Sequence, residues 1–345
     1  MMHPAHKTEA ADLSRQSRPA VYYWAAVGAG ILVFNVYLYS AWVLNGRFEP
    51  TPMGPDPVPT AAKIGVWVFQ GSSILLATGT ILYVVRQSWR ERKLTFDAAV
   101  VIGWGLASWQ DPLYNWIRPA FFYNSYFFNR GGWIDHAPGW SSPRGGWLPE
   151  DIIGTAGIGY LWFLIPMMIA CRLMAAARRR WPTIGVGGLF LVALAFVGGF
   201  DFAVEVTCVH IGLWGYPGAI HSLSIFPGTT DQFPIYETLA WGSVWAACSL
   251  LRFYRDDRGN SVVERGIDDL PLGEKARGAV RALAVAAGIN AIFAIYSLFM
   301  IWTTLLPGID APEYPSYLRD GLCGHGTPYQ CIDSNLPIPV RAGGD

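Results

Sequence analysis

Charge is scarce in this chain. Asp, Glu, Lys and Arg make up 14% of its 345 residues while 52% are hydrophobic, against roughly a quarter charged in an ordinary soluble domain. That shortage excludes a fold in which every segment keeps one wetted face. Neither sign is in excess, with 25 Lys and Arg against 25 Asp and Glu, so neither a nucleic-acid-binding footprint nor an acidic solvating tail is expected. Cysteine is rare too: the five present show no CxxC or CxxxH spacing, which argues against a zinc site, a thioredoxin-like centre and haem attachment. The helical metal-ligand spacings HxxxH, HxxHH and ExxH are missing, and no metal or cofactor is expected. No internal repeat relates the two halves, as it would in an inverted-repeat transporter.

What the chain has instead is apolar runs of about 20 residues, the length needed to cross roughly 30 Å of hydrocarbon. Seven are read: Val21–Leu44, Ile64–Val85, Ala98–Ile117, Ile152–Met174, Ile184–Val209, Ile235–Leu251 and Val280–Leu305. The first is too long for a signal-peptide core and no small-residue cleavage site follows it, so it is expected to stay as an anchor. The N-terminal segment and loops two, four and six hold 16 Lys and Arg in 69 residues, whereas the other segments hold 7 in 118. By the positive-inside rule the N-terminus is cytoplasmic and the C-terminus outside. The expected fold is therefore all-α: a disordered cytoplasmic stretch 1–20, a seven-span polytopic bundle 21–305 in the plasma membrane, and an outer tail 306–345. In that tail Cys323 and Cys331 face an oxidising compartment and are expected to form a disulfide. Cys171, Cys208 and Cys248 read as small apolar fillers within spans.

Ionisable residues inside such runs are costly and are functional-site candidates by default. Asp111 stands in Trp109-Gln110-Asp111-Pro112-Leu113-Tyr114-Asn115-Trp116, where Pro112 removes a main-chain donor. Asp111 and Asn115 share a face if the helix continues; the plainer role for Asp111 is to stabilise a kink. Asp201 and Glu205 are four apart in the fifth run, one turn apart on one helix face. Two carboxyls so placed in a low dielectric are ill suited to ionise together, which favours a general acid. Glu237 opens the sixth run, where an acid also serves as a helix-dipole partner. His136, His210 and His221 fall at the same side of the membrane as these acids.

Between the third and fourth runs lies Pro119-Ala120-Phe121-Phe122-Tyr123-Asn124-Ser125-Tyr126-Phe127-Phe128-Asn129-Arg130, followed by Trp133, Trp140 and Trp147. Such density suits either an interfacial aromatic belt or the wall of an apolar site whose ring faces stabilise a developing cation. The Trp109–Asn115 segment with this aromatic extension, Phe200-Asp201 with Glu205, and Pro234-Ile235-Tyr236-Glu237 resemble the AveC-like spirocyclase family, over roughly residues 20–310. The resemblance implies a membrane-bound cyclase that closes a polyketide dihydroxy-ketone to a spiroketal and can dehydrate it. That closure passes through an oxocarbenium ion and needs an acid and a base but no redox centre. Asp201 and Glu205 are then the acid–base pair, Asp111 the cation stabiliser, and Tyr123 and His210 orienting groups, with Asn115, Asn124 and Glu237 as further binding candidates. The expected partners are an apolar small molecule and the lipid through which it partitions. The alternatives are a proton-coupled small-molecule transporter, which would need polar positions on the inner side beyond Asn35 and Asn290, and an acid-catalysed cyclase of another lipid or isoprenoid.

Overall fold

The structure, a computed structural model, describes residues 19–45, 48–142, 144–323 and 331. Residues that suit a helix boundary set the helix starts. Pro19, Pro59 and Pro234 immediately precede α1 (Ala20–Leu44), α2 (Thr60–Glu91) and α6 (Ile235–Phe253). Thr95 opens α3 (Phe96–Gly105), its hydroxyl accepting from the Ala98 N–H. α4 (Leu164–Arg180) ends in Arg178-Arg179-Arg180, cations that suit the negative end of a helix dipole. Gly185 and Gly273 precede α5 (Val186–His210) and α7 (Glu274–Thr303), and α8 (Ser316–Arg319) follows. Two short antiparallel pairs complete the set, β1 (Phe122–Tyr123) with β2 (Trp214–Gly215) and β3 (Ser224–Ile225) with β4 (Phe233–Pro234).

Among the described residues five segments are long and apolar enough to cross a membrane: α1, α2, α4 with the turn before it (Gly159–Arg180), α5 and α7. The seven-run reading differs at its third and sixth members. The stretch 98–117 does not form one helix: α3 has ten residues, about 15 Å of rise, too short for a bilayer core. Beyond it the Ser108 hydroxyl donates to the Gly105 carbonyl at 2.8 Å, and a 3-10 helix carries Ser108–Asn115 around Pro112. The amide of Gln110 and the indole of Trp109 reach Asn290 of α7 at 2.9 and 3.0 Å, so side chains replace the interrupted main-chain ladder. α6 has 19 residues, with Glu237 in its first turn and Arg252 in its last. It packs against α4, α5 and α7, which shelter those charges.

Lipid is as apolar as Leu, so helices in a bilayer associate through close packing rather than a hydrophobic drive. α1 crosses α7 at Gly28, where a Cβ would fall 2.0 Å from the Leu283 carbonyl oxygen. α5 crosses α6 at Gly198 and Gly242, where a Cβ on Gly242 would fall 2.9 Å from the Gly198 Cα. At one end of the bundle Arg252 makes two bonds to Asp97, and Glu264 takes both Arg255 and Arg281. The opposite end is capped by a buried aromatic layer of Trp42, Trp133, Trp140 and Tyr314, with the Cys323–Cys331 disulfide beside it. Asn35 donates to the Ile31 and Leu106 carbonyls, tying α1 to the end of α3.

Candidate active site

Beneath the cap, α2, α5, α6, α7 and the segments carrying residues 111–123 and 154–163 enclose a cavity of about 260 Å³. Its wall is mainly aromatic, and four carboxyl groups project into it: Asp111, Asp201, Glu205 and Glu237. The β1–β2 pair roofs it, since Tyr123 lies opposite Trp214 and both contribute to the lining. A site of this size takes the reacting part of a ligand rather than a whole drug-sized molecule, which needs roughly 300–1,000 Å³.

Each acid has a distinct setting. The Trp214 indole N–H and the Tyr216 hydroxyl both donate to Glu205 Oε2 at 2.7 Å. Those two bonds hold the carboxyl by one oxygen at the cavity wall. Glu237 Oε1 accepts from the Tyr296 hydroxyl at 3.1 Å, while its Oε2 is buried without a partner, as is Asp201 Oδ2. The buried Trp245 indole N–H, in the same wall, also has no acceptor. Unpaired buried polar atoms cost about 1–3 kcal/mol each, and these three belong to residues that line one cavity.

Asp111 sits in a cage of donors. Tyr160 donates to Oδ1 at 2.6 Å and Tyr123 to Oδ2 at 2.8 Å, and Thr155 donates in turn to the Tyr123 oxygen at 2.7 Å. Behind it lies Glu150, 2% exposed, its Oε2 buried without a partner. Burial, and then the Asp111 charge, hold Glu150 well above the usual carboxylate range. Burial likewise pushes Asp151 up to about 8 against the stabilising N–H of Gly154, which donates to its Oδ1 at 2.8 Å.

The structure brings together Asp111, Tyr123, Asp201, Glu205 and Glu237 from the sequence reading and leaves three residues outside the cavity. Asn115 accepts from the Ala120 and Phe121 N–H groups at 2.6 and 3.0 Å and so shapes the turn into β1. Asn124 donates to the Gly212 carbonyl at 2.7 Å, fastening the roof. His210 lies exposed at the end of α5, 2.9 Å from Asp231. Asp201 and Glu205 share the cavity, yet the hydrogen-bond partners of Glu205 are Trp214 and Tyr216. The residues missed by sequence reasoning are Glu150, Asp151, Tyr160, Tyr216, Trp245 and Tyr296. Of these, the adjacent acids Glu150-Asp151 directly before an apolar run were the one readable signal. Among the described residues no group of three His, Cys, Asp or Glu is placed to hold a metal ion.

No curated protein and no solved structure matches the chain. The profile described as Spirocyclase AveC-like matches residues 91–319, a stretch that contains all four cavity acids, Glu150 and every tyrosine that binds them. Covering well over half of the chain, that match makes this protein a member of the AveC-like spirocyclase family.

Proposed function

We propose that this protein is a multi-pass plasma-membrane enzyme that closes a dihydroxy-ketone of polyketide type into a spiroketal by acid–base catalysis. Family membership and the five long apolar helices support the reading. The observation that carries it is the division of labour among the acids: Glu205 is anchored through one oxygen, and Asp201 and Glu237 each hold an unpaired buried oxygen in an aromatic chamber. One substrate hydroxyl first adds to the ketone, giving a hemiketal. Glu205 then protonates the hemiketal hydroxyl from Oε1, the C–O bond breaks and water leaves. The resulting oxocarbenium ion is stabilised by the ring faces of the chamber and by the charge of Asp111. The second hydroxyl attacks that carbon, and Asp201, paired with Glu237, takes its proton. Transfer of that proton back to Glu205 restores the starting state, so the net change is loss of one water. The 16-to-7 distribution of Lys and Arg and the Cys323–Cys331 disulfide support an outward-facing cap.

The test is conversion of a synthetic dihydroxy-ketone by purified protein in lipid vesicles, followed by chiral chromatography and mass spectrometry. A single spiroketal stereoisomer, one water lighter and formed faster than in empty vesicles, is expected. A racemic product at the background rate would refute the assignment, whereas accumulation of unchanged substrate inside sealed vesicles would indicate transport.

A further inference from the structure

The cavity is closed toward the cap and backed by packed aromatic rings on one wall. The β1–β2 roof covers it toward the cap, and buried Trp104 packs against its Tyr160, Phe163 and Phe293 on the wall side. Between α2 and α5 the wall behaves differently. Both helices line the cavity, α2 through Phe69, Ser72, Ser73 and Leu76 and α5 through Phe200, Asp201, Val204 and Glu205, yet the two make little contact with each other along their length. The lining residues at their facing edges are also on the outer surface: Leu76 is 39% and Phe200 38% exposed, Ser72 is exposed and Val204 half-exposed.

The depth of this gap is fixed by the sequence. The start of α2 lies beside the end of α5, since a Cβ on Gly65 would sit 2.8 Å from both Ile211 and Leu213. Counted from the level of Gly65 and Ile211 at about 1.5 Å per residue, Val204 and Phe200 lie about 10 and 16 Å along α5, and Ser72 and Leu76 about 10 and 16 Å along α2. A hydrocarbon core is about 30 Å thick, so the gap opens within it. Hydroxyl-binding groups therefore sit a few side chains away from lipid tails.

From this we infer that substrate is admitted sideways from the bilayer interior through a portal framed by Ser72 and Leu76 of α2 and Phe200 and Val204 of α5. This rests on the cavity being the substrate site. The occupant is an amphiphile whose oxygenated end reaches the acids while its remaining apolar chain stays in lipid, which reconciles a small chamber with a long substrate. Ser73 holds the portal open by donating to the Gly154 carbonyl at 2.7 Å, pinning α2 to the site's own wall.

The experiment reads access without relying on turnover. Met300, a buried lining residue, is changed to Cys, and labelling at position 300 is followed by mass mapping with a lipid-soluble alkyl maleimide and with a charged, water-soluble one. The lipid-soluble reagent is expected to label at least tenfold faster. Adding Ser72→Trp, or separately Val204→Trp, should slow it at least tenfold, whereas Gly71→Trp, on the opposite edge of α2 with open space at its Cβ, should not. With a turnover assay in hand, the two plugging variants should lower kcat/KM by a similar factor with kcat preserved. Equal labelling by the charged reagent, or labelling unaffected by both plugs in folded protein, would overturn the portal. Absence of wild-type cyclisation would instead remove the catalytic reading and leave the labelling result standing.

Discussion

Glu205→Gln is the most direct perturbation of the proposed chemistry, because the geometry separates its catalytic from its structural consequences. In the wild type both the Trp214 N–H and the Tyr216 O–H end on Oε2. A glutamine can turn its carbonyl oxygen to those donors and present its NH2 group where Oε1 was, so the buried donors stay satisfied. What disappears is the proton. General acid help is worth about 10²–10⁴-fold, or about 3–5 kcal/mol of barrier at 1.36 kcal/mol per tenfold. The loss should appear in kcat across the whole pH range, with the midpoint of thermal unfolding within a few degrees of wild type. Glu205→Ala should differ: it removes the acceptor of two donors, at about 1–3 kcal/mol each, so lost activity comes with lost stability. Glu237→Gln should be milder, and Asp201→Asn combined with Glu205→Gln less than additive, because the two acids serve one proton cycle. Single-turnover conversion in vesicles with a thermal-shift control measures each term. Folded Glu205→Gln protein turning over within threefold of wild type would refute the role of general acid.

Three further outcomes are expected. Tyr160→Phe deletes the shorter of the two tyrosine bonds to Asp111; a hydrogen bond to a charged group is worth about 1.5–3 kcal/mol, so kcat should fall about 10- to 100-fold with KM little changed, and an unchanged kcat would remove Asp111 from the reaction. Asp151 is raised in the folded state to about 8 from about 3.9 unfolded, so the folded state holds the extra proton and stability should fall as pH climbs between those values; Asp151→Asn keeps an acceptor for the Gly154 N–H and should flatten that fall in a thermal-shift series. Peptide mapping without reductant should recover Cys323 linked to Cys331, eight residues apart, and Cys331→Ser should lower stability by about 2–3 kcal/mol through loop entropy; two free thiols in the native protein would count against an outward cap.

The acids were legible because a charge in an apolar run has few explanations, and all four acids singled out line one chamber. Their partners were not, because a tyrosine or tryptophan within a span reads equally well as packing or as an interfacial anchor; only the fold turns the Tyr160 and Tyr296 hydroxyls onto carboxylates. Glu150 was passed over for a related reason: it lies in a polar-looking loop between runs, and loop acids are usually solvated. Its burial follows from the return of residues 145–163 beneath the cap, a long-range event at which only the adjacency of Glu150 and Asp151 to an apolar run hints. The third run was misjudged in length, since hydropathy averages across Pro112 while the backbone does not. His210 failed on direction: at the last position of α5 its side chain leans outward to Asp231 rather than to the roof.

The meeting of Gly198 with Gly242 has a consequence for the chemistry several ångströms away. Asp201 follows the first glycine by three residues and Glu237 precedes the second by five, so both carboxyls hang from the same helix crossing, on the side toward the cap. The backbone contact acts as a gauge block, setting how far apart two carboxyl groups stand without touching either. A methyl group at position 242, which would press on Gly198 at 2.9 Å, would tilt the helices and widen the gap between the acids while every cavity-lining side chain kept its identity. The spacing of these two carboxyls is thus held by two hydrogens where side chains would otherwise be, and alanine or serine at either glycine offers a graded way to change it.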